Sequence, residues 1–301
     1  MKFVRHLTLV LLASAILGVA VTAASGRSDA GAAPSGRIAY SFRFWPEDDR
    51  IVDNYEIGVI DFGTGSDANL TRFPQCSEVD PAWSHSGSWL AFACQYGPHA
   101  GIGVMRDDRS ERRRVIRSAS WAQWTEPAWS PDDSKLAFKG AKSTSGIWIM
   151  NLDGSGRLRL TRGMDASPTW SPDGRAIAFD RTIRGVRRIM TIGTSGKGRR
   201  TIARNACCPV WSPDGLSIAF LKRRSPRVLW LMRMDGRGKH PVPGVRRQLG
   251  IGDLAWSPDG HYLAYYVSCC RESGIYVTTL DGVSSEHLGY YPDGLGISWG
   301  P

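Results

Sequence analysis

From Ser35 onward, apolar residues come in short runs, such as Leu136 to Phe138 and Ile147 to Met150, cut apart by Pro, Asp and Gly. None of these runs keeps the 3.6-residue period of a helix, and runs of this length between turn residues predict β-strands. A tryptophan punctuates them: "PAWSHSG" at Trp83, "PAWSPDD" at Trp129, "PTWSPDG" at Trp170, "PVWSPDG" at Trp211, "LAWSPDG" at Trp256 and "ISWGP" at Trp299. The steps between tryptophans are 46, 41, 41, 45 and 43 residues, yet an aromatic (Phe92, Phe138, Phe179, Phe220, Tyr265) always follows the first five at a distance of nine. A fixed offset inside a variable period describes a rigid local unit joined by loops of different length. A period of about 40 to 45 residues without helical patterning predicts four-stranded propeller blades.

The repeat from Glu126 to Thr161 shows the unit. Strand A carries Trp129, Pro131 and Asp132 turn the chain, strand B is Leu136 to Phe138, strand C is Ile147 to Met150, Asp153 and Gly154 turn again, and strand D is Leu158 to Leu160. Strands B and C are nearly continuous in apolar residues, which fits sheets covered on both faces by neighbouring blades. In Ser-Pro-Asp-Gly, Pro fixes φ, Asp bonds back to its own backbone and Gly takes the positive φ of a tight hairpin. Asp132, Asp173, Asp214 and Asp259 are therefore assigned to architecture. "SGRIAYSF" at Ser35 to Phe42 supplies a turn and a strand B without a strand A; strand C at Glu56 to Asp61 and strand D near Asn69 to Arg72 follow. Leu295 to Pro301 supplies a strand A and nothing more. The expectation is an all-β, six-bladed propeller of four-stranded antiparallel blades, closed by pairing of the carboxy-terminal strand around Trp299 with Ile38 to Tyr40.

The repeated pattern "PxWSPDGxxIAF" followed by "IWxMxxDGSGxxxLT" resembles the TolB-type propeller repeat, and the resemblance covers residues 36 to 301. It implies a periplasmic propeller that binds envelope proteins such as the peptidoglycan-associated lipoprotein. TolB proteins carry an α/β domain before the propeller, and none is expected here between the leader and the first strand. Related repeats also build the propeller of prolyl oligopeptidase-like peptidases and the body of some oligogalacturonate lyases.

Lys2 and Arg5 precede an apolar run from Leu7 to Val21, followed by Thr22, Ala23 and Ala24. These are the three parts of a secretory signal peptide, expected to span residues 1–24, with "SGRSDAGAAPS" at residues 25–35 as a flexible leader and no stable membrane span after cleavage; an uncleaved anchor is the alternative, since the run on to Ala24 reaches the lower limit for spanning a bilayer. Losing Lys2 and Arg5 takes the formal charge from +10 to +8. The remaining Arg and Lys are scattered in short groups rather than gathered on one face, which predicts weak attraction to anionic envelope surfaces and no nucleic-acid partner.

Catalytic motifs do not survive inspection. "GISWG" at Gly296 to Gly300 mimics G-x-S-x-G, but it lies at the sixth tryptophan with one residue following, where no strand-to-helix elbow fits. "GTSGKG" at Gly193 to Gly198 lacks the spacing of a phosphate loop and falls on a C-to-D turn. The six His show no metal-binding spacing, so neither cofactor nor metal is expected. In an exported chain Cys76, Cys94, Cys207, Cys208, Cys269 and Cys270 predict disulfides. The favoured pair is Cys76 with Cys94, and the two adjacent pairs could bridge between blades or close on themselves. All six fall just before a strand A or just after a strand B, so they share one face with the irregular loops. That face carries Trp45, Trp121 and Trp124, and Asp80, Glu126 and Asp253 stand three residues before a repeat tryptophan. Aromatic and acidic residues on loops of a rigid scaffold suit recognition. The sequence therefore predicts an exported, monomeric, non-catalytic scaffold that binds an envelope protein or extracellular ligand through this face. A carbohydrate lyase or hydrolase, or a ligand sensor, are the alternatives.

Overall fold

In a computed structural model, residues 33–44, 54–73, 75–95, 100–117, 124–223, 227–245, 250–268, 273–291 and 295–301 are described. The first blade holds β1 (Arg37–Phe44), β2 (Asn54–Asp61) and β3 (Ser66–Asn69); the second, β4 (Glu78–Trp83), β5 (Trp89–Cys94), β6 (Gly101–Arg106) and β7 (Arg113–Arg117). The third holds β8 (Trp124–Trp129), β9 (Lys135–Gly140), β10 (Gly146–Asn151) and β11 (Leu158–Arg159), and the fourth β12 (Asp165–Trp170), β13 (Ala176–Ile183), β14 (Val186–Gly193) and β15 (Arg200–Arg204). The fifth holds β16 (Ala206–Trp211), β17 (Ser217–Lys222), β18 (Val228–Arg233) and β19 (His240–Pro241), and the sixth β20 (Ile251–Trp256), β21 (Tyr262–Val267), β22 (Gly274–Thr279) and β23 (Ser285–Tyr290). The last strand, β24 (Leu295–Gly300), returns to the first blade and pairs antiparallel with β1, Ile38 opposite Trp299. Inner strands meet in a closed circle, β24 to β4, β8, β12, β16, β20 and back to β24. The all-β six-bladed ring and its closure are thus as the repeat predicts. Strand D of the first blade lies at Ser66–Asn69, upstream of its expected place near Asn69 to Arg72.

The repeat letters explain how blades form and join. In the fourth blade the Ser171 hydroxyl and the Arg175 amide both donate to Asp173 Oδ1, at 2.6 and 3.0 Å, and Gly174 sits at φ +69°. These bonds, the Ser171 hydroxyl first, hold the Asp173 carboxyl below its usual range. In the third blade Asp132 is held down to about 2 in the same way, and Asp133 takes the positive-φ place of the glycine. The tryptophans link blades: the indole N–H of Trp129 donates to the Ala82 carbonyl at 2.9 Å, Trp170 to Ala128 at 3.1 Å, and Trp256 to Val210 at 3.1 Å. Between sheets, Phe138, Phe179 and Phe220 are fully buried, so a bulky aromatic one strand over fills the wedge between blades.

Cys76 and Cys94 are bridged, with Cα atoms 5.5 Å apart, inside the usual disulfide span. The bond ties the approach to β4 to the end of β5. Closing an 18-residue separation restricts the unfolded chain, so the Cys76→Ser/Cys94→Ser variant is expected to lose about 3 kcal/mol in denaturant unfolding. An unchanged midpoint would show that the bridge adds no stability.

Candidate functional site

Each inner strand carries an irregularity shortly before its tryptophan. In the second blade Val79 pairs with Ala93 and Ala82 with Ala91, so Asp80 and Pro81 together oppose one residue. The same bulge recurs between Thr125 and Ala128, Ala166 and Thr169, Cys207 and Val210, and Ile251 and Leu254. Asp80, Glu126, Ser167 and Cys208 take φ of 54°, 54°, 51° and 57°, and Gly296 takes 71° in β24. A left-handed residue in a bulge re-aims its side chain out of the strand's alternation. The prolines that follow four of them, Pro81, Pro127, Pro168 and Pro209, have no N–H to leave unpaired.

The result is a ring. Asp80, Glu126, Ser167, Cys208, Asp253 and Gly296, one from each blade, line a cavity of about 320 Å³ at one mouth of the channel, joined by Arg187 of β14. The carboxylates reach around the ring. Asp80 Oδ2 accepts the Glu126 amide at 3.1 Å, Glu126 accepts the Ser167 amide, and Asp253 Oδ2 accepts the Gly296 amide at 3.0 Å. Asp180 of β13 does the same for the Cys208 amide at 3.1 Å and binds Arg187 at 2.9 Å. Lys139 of β9 donates to Glu126 at 2.7 Å. Burial, and then the charges of Glu126 and Asp253, push the Asp80 carboxyl up to about 7. Burial, followed by Glu126, also raises Asp253. Burial pulls Lys139 down, but Glu126 outweighs it and holds the ammonium above its usual value.

The structure therefore brings Asp80, Glu126 and Asp253 to one cavity. Trp124 is elsewhere: only 8% exposed, it packs edge-on against Phe138 and Trp148 in the core between the second and third blades. Expected as a surface anchor, it is a core residue because β8 begins at Trp124 and draws it into the sheet. Trp45 and Trp121 lie outside the described residues, as do Cys269, Cys270 and the expected signal peptide. Ser167, Cys208 and Gly296 would follow from applying the three-before-tryptophan offset to every repeat. Asp180 and Arg187 come from second and third strands, for which the repeat offers no signal.

Residues 52–252 match the family described as the TolB beta propeller domain. The chain belongs to the TolB β-propeller family. It is 33% identical over 126 residues to the Protein TolB homolog of Chlorobium chlorochromatii, a match covering 41% of this chain and 28% of that protein. Over 40 residues it is 55% identical to the Tol-Pal system protein TolB of Rhizorhabdus wittichii, covering 13% of this chain and 9% of that one. The chain thus spans less than a third of the length of these curated relatives. Among solved structures, TolB from Acinetobacter baumannii superposes with a TM-score of 0.73 at 18% identity, covering 88% of this chain and 67% of that one. An oligogalacturonate lyase in complex with manganese superposes at 0.55 and 16% identity, covering 79% and 76%.

In this TolB propeller the family letters and the mouth ring are separate sets of residues. All six repeat tryptophans, with Pro172, Pro213 and Pro258 of the turns, line a second stretch of the channel of about 370 Å³. The motif builds the channel; the position three residues before its tryptophan decides which chemistry faces the mouth. No group of three or more His, Cys, Asp or Glu among the described residues is placed to hold a metal ion. No helix among them is long and apolar enough to cross a membrane.

Proposed function

We propose that this TolB propeller is an exported, non-catalytic scaffold of the cell envelope or cell surface, and that a partner inserts a cationic or hydrogen-bond-donating group into the channel mouth. The observation that carries this reading is the convergence of Asp80, Glu126 and Asp253 on one cavity of about 320 Å³. Asp80 and Asp253 each spend one oxygen on a neighbouring amide, which fixes their direction, whereas Glu126 bonds the Ser167 amide with one oxygen and Lys139 with the other. Preorganised acceptors of this kind give a donor group orientation as well as attraction. The names of the relatives support an envelope role, because Tol-Pal system protein TolB is one of them.

Asp253 and Asp80 are the residues to test, since Glu126 also anchors Lys139. A partner is first isolated from the organism's own envelope extract by affinity capture of the mature chain. The Asp80→Asn/Asp253→Asn variant is then expected to weaken it about tenfold or more by calorimetry. Asp214→Asn, in a hairpin turn, should change nothing. A double variant that melts like wild type and keeps full affinity defeats the reading, and turnover of a carbohydrate panel would support the lyase or hydrolase alternative.

The raised Asp80 carboxyl sets a pH dependence. Its folded-state value, about 7, lies above that of the unfolded chain, so its contribution to stability is present at low pH and lost as pH rises through about 7. Affinity for a cationic group runs the other way. It should increase between about pH 6 and about pH 8 as Asp80 ionises, and Asp80→Asn should flatten that rise.

A further inference from the structure

Cys207 and Cys208 are neighbours in β16, and in a regular strand neighbouring side chains point to opposite faces. The bulge changes this. Cys207 still pairs with Leu221, but the register breaks before Val210, and Cys208 sits at φ 57°. Cys207 belongs to the core cluster around Leu221 and Leu229, and Cys208 packs against the same cluster. Cys207 is fully buried, whereas Cys208 is half-buried and lines the mouth cavity. Both thiols are free in this structure. Asp80, Glu126 and Ser167 adopt the same left-handed φ without any cysteine, so the ring architecture, not a sulfur bond, sets the conformation. Consecutive Cα atoms are about 3.8 Å apart, closer than in most bridged pairs. Closure therefore depends on the two side chains sharing one face of the sheet, and both pack on the same core cluster.

We propose that Cys207 and Cys208 form an oxidisable vicinal dithiol, a modification site in the wall of the channel mouth that closes to a disulfide between the two neighbours. The oxidant is a disulfide-bearing thiol oxidant, the chemical class that also makes the Cys76–Cys94 bridge. Cys208, which lines the cavity, attacks the oxidant first: a mixed disulfide forms, the oxidant's S–S bond breaks, and one thiol leaves with a proton. Cys207 Sγ then attacks Cys208 Sγ, the vicinal bond forms, the mixed disulfide breaks, and the second oxidant thiol leaves with the other proton. Two electrons pass from the pair to the oxidant. Contact with Cys207, and then burial, hold the Cys208 thiol well above its usual value, which makes the first attack the slow step, whereas contact with Cys208 and the nearby Arg187 charge hold the Cys207 thiol below its usual value against burial and favour the second. Oxidation removes a thiol donor from one of the six ring positions, so it alters the wall that a partner meets.

The test is peptide mapping of the full chain secreted into an oxidising compartment. Trypsin cuts after Arg204 and Lys222, which places Cys207 and Cys208 in one peptide without another cysteine. The expected result is loss of alkylation on that peptide before reduction, a mass lower by two hydrogens, and double alkylation after reduction. The Cys76–Cys94 bridge, intact in the same digest, reports that the sample met the oxidant. The Cys269→Ser/Cys270→Ser variant should show the same protection, because those residues take no part. Free alkylation of Cys207 and Cys208 beside an intact Cys76–Cys94 bridge overturns the proposal. A cross-link from either residue to another cysteine, or protection lost in the double serine variant, also overturns it. None of these readouts depends on the binding partner, so failure here and failure of the scaffold reading are told apart.

Discussion

Deleting Leu295 to Pro301 is expected to abolish cooperative melting and drive aggregation, although it removes only the last strand. β24 supplies the inner strand of the first blade, and its register with β1 runs from Arg37 opposite Gly300 to Ser41 opposite Leu295. Trp299 stacks on Phe62 with centroids 5.4 Å apart, and its indole N–H donates to the Ser35 carbonyl at 2.8 Å. The strand also fastens the next blade: the Trp83 amide donates to Ser298 Oγ at 2.9 Å, and Gly300 leaves no room for a side chain against the Trp83 ring. Truncating a buried tryptophan costs about 3 to 5 kcal/mol, and domains hold only about 5 to 15 in reserve. Trp299→Ala should therefore lose about 3 to 5 kcal/mol in denaturant unfolding. The deletion adds an opened edge on β1 and an unsealed ring, and exposed edges invite intermolecular pairing. Calorimetry with size-exclusion chromatography checks both. A truncated chain that melts as a monomer at the full-length temperature would show that closure does not hold the ring.

Closure was legible in the sequence because each end lacked what the other held: a strand B without a strand A at Ile38, and a strand A alone at Trp299. Turns were legible because Pro, Asp and Gly each answer to a local backbone demand. The outermost strand of the first blade was less so. Ser66–Asn69 is largely exposed, so no apolar alternation pins its register, and the expectation near Asn69 to Arg72 slid downstream. At the mouth, Asp80, Glu126 and Asp253 were visible because carboxylates at one repeat offset stand out. Ser167 holds the same place with an uncharged side chain and Gly296 with none, so neither stands out. Asp180 and Arg187 reach the ring across the fourth blade, a juxtaposition set by pairing and not by spacing. Trp124 shows the opposite error. An aromatic in an irregular stretch suggests a binding anchor, but two residues before Glu126 it already belongs to strand A and packs inward.

The second large effect is expected from an ion pair that the repeat pattern does not announce. Asp165 opens β12 directly opposite Arg181 of β13. The guanidinium grips the carboxylate with two bonds, Nε to Oδ1 at 2.5 Å and Nη2 to Oδ2 at 2.6 Å, and the Thr161 hydroxyl donates to the same carboxylate. Nη2 also donates to the Arg162 carbonyl at 3.1 Å, and Gly163 leaves space for the guanidinium to lie against the backbone. Asp165 is 2% exposed and Arg181 8%, so water cannot take over if one partner is lost. The Asp165 hydrogen bond, more than compensating for burial, holds the Arg181 guanidinium above its usual value. Removing one member of such a pair strands the other, at a cost of about 3 to 5 kcal/mol, whereas replacing both with apolar groups of similar size is often close to neutral. Arg181→Met is therefore expected to lower stability by about 3 to 5 kcal/mol, and adding Asp165→Leu should restore much of the loss even though it removes a second polar group. Denaturant unfolding of the two single variants and the double variant measures the coupling. If Arg181→Met costs under about 1 kcal/mol, or if the double variant falls by the sum of the singles, the pair is not the isolated buried unit its geometry describes.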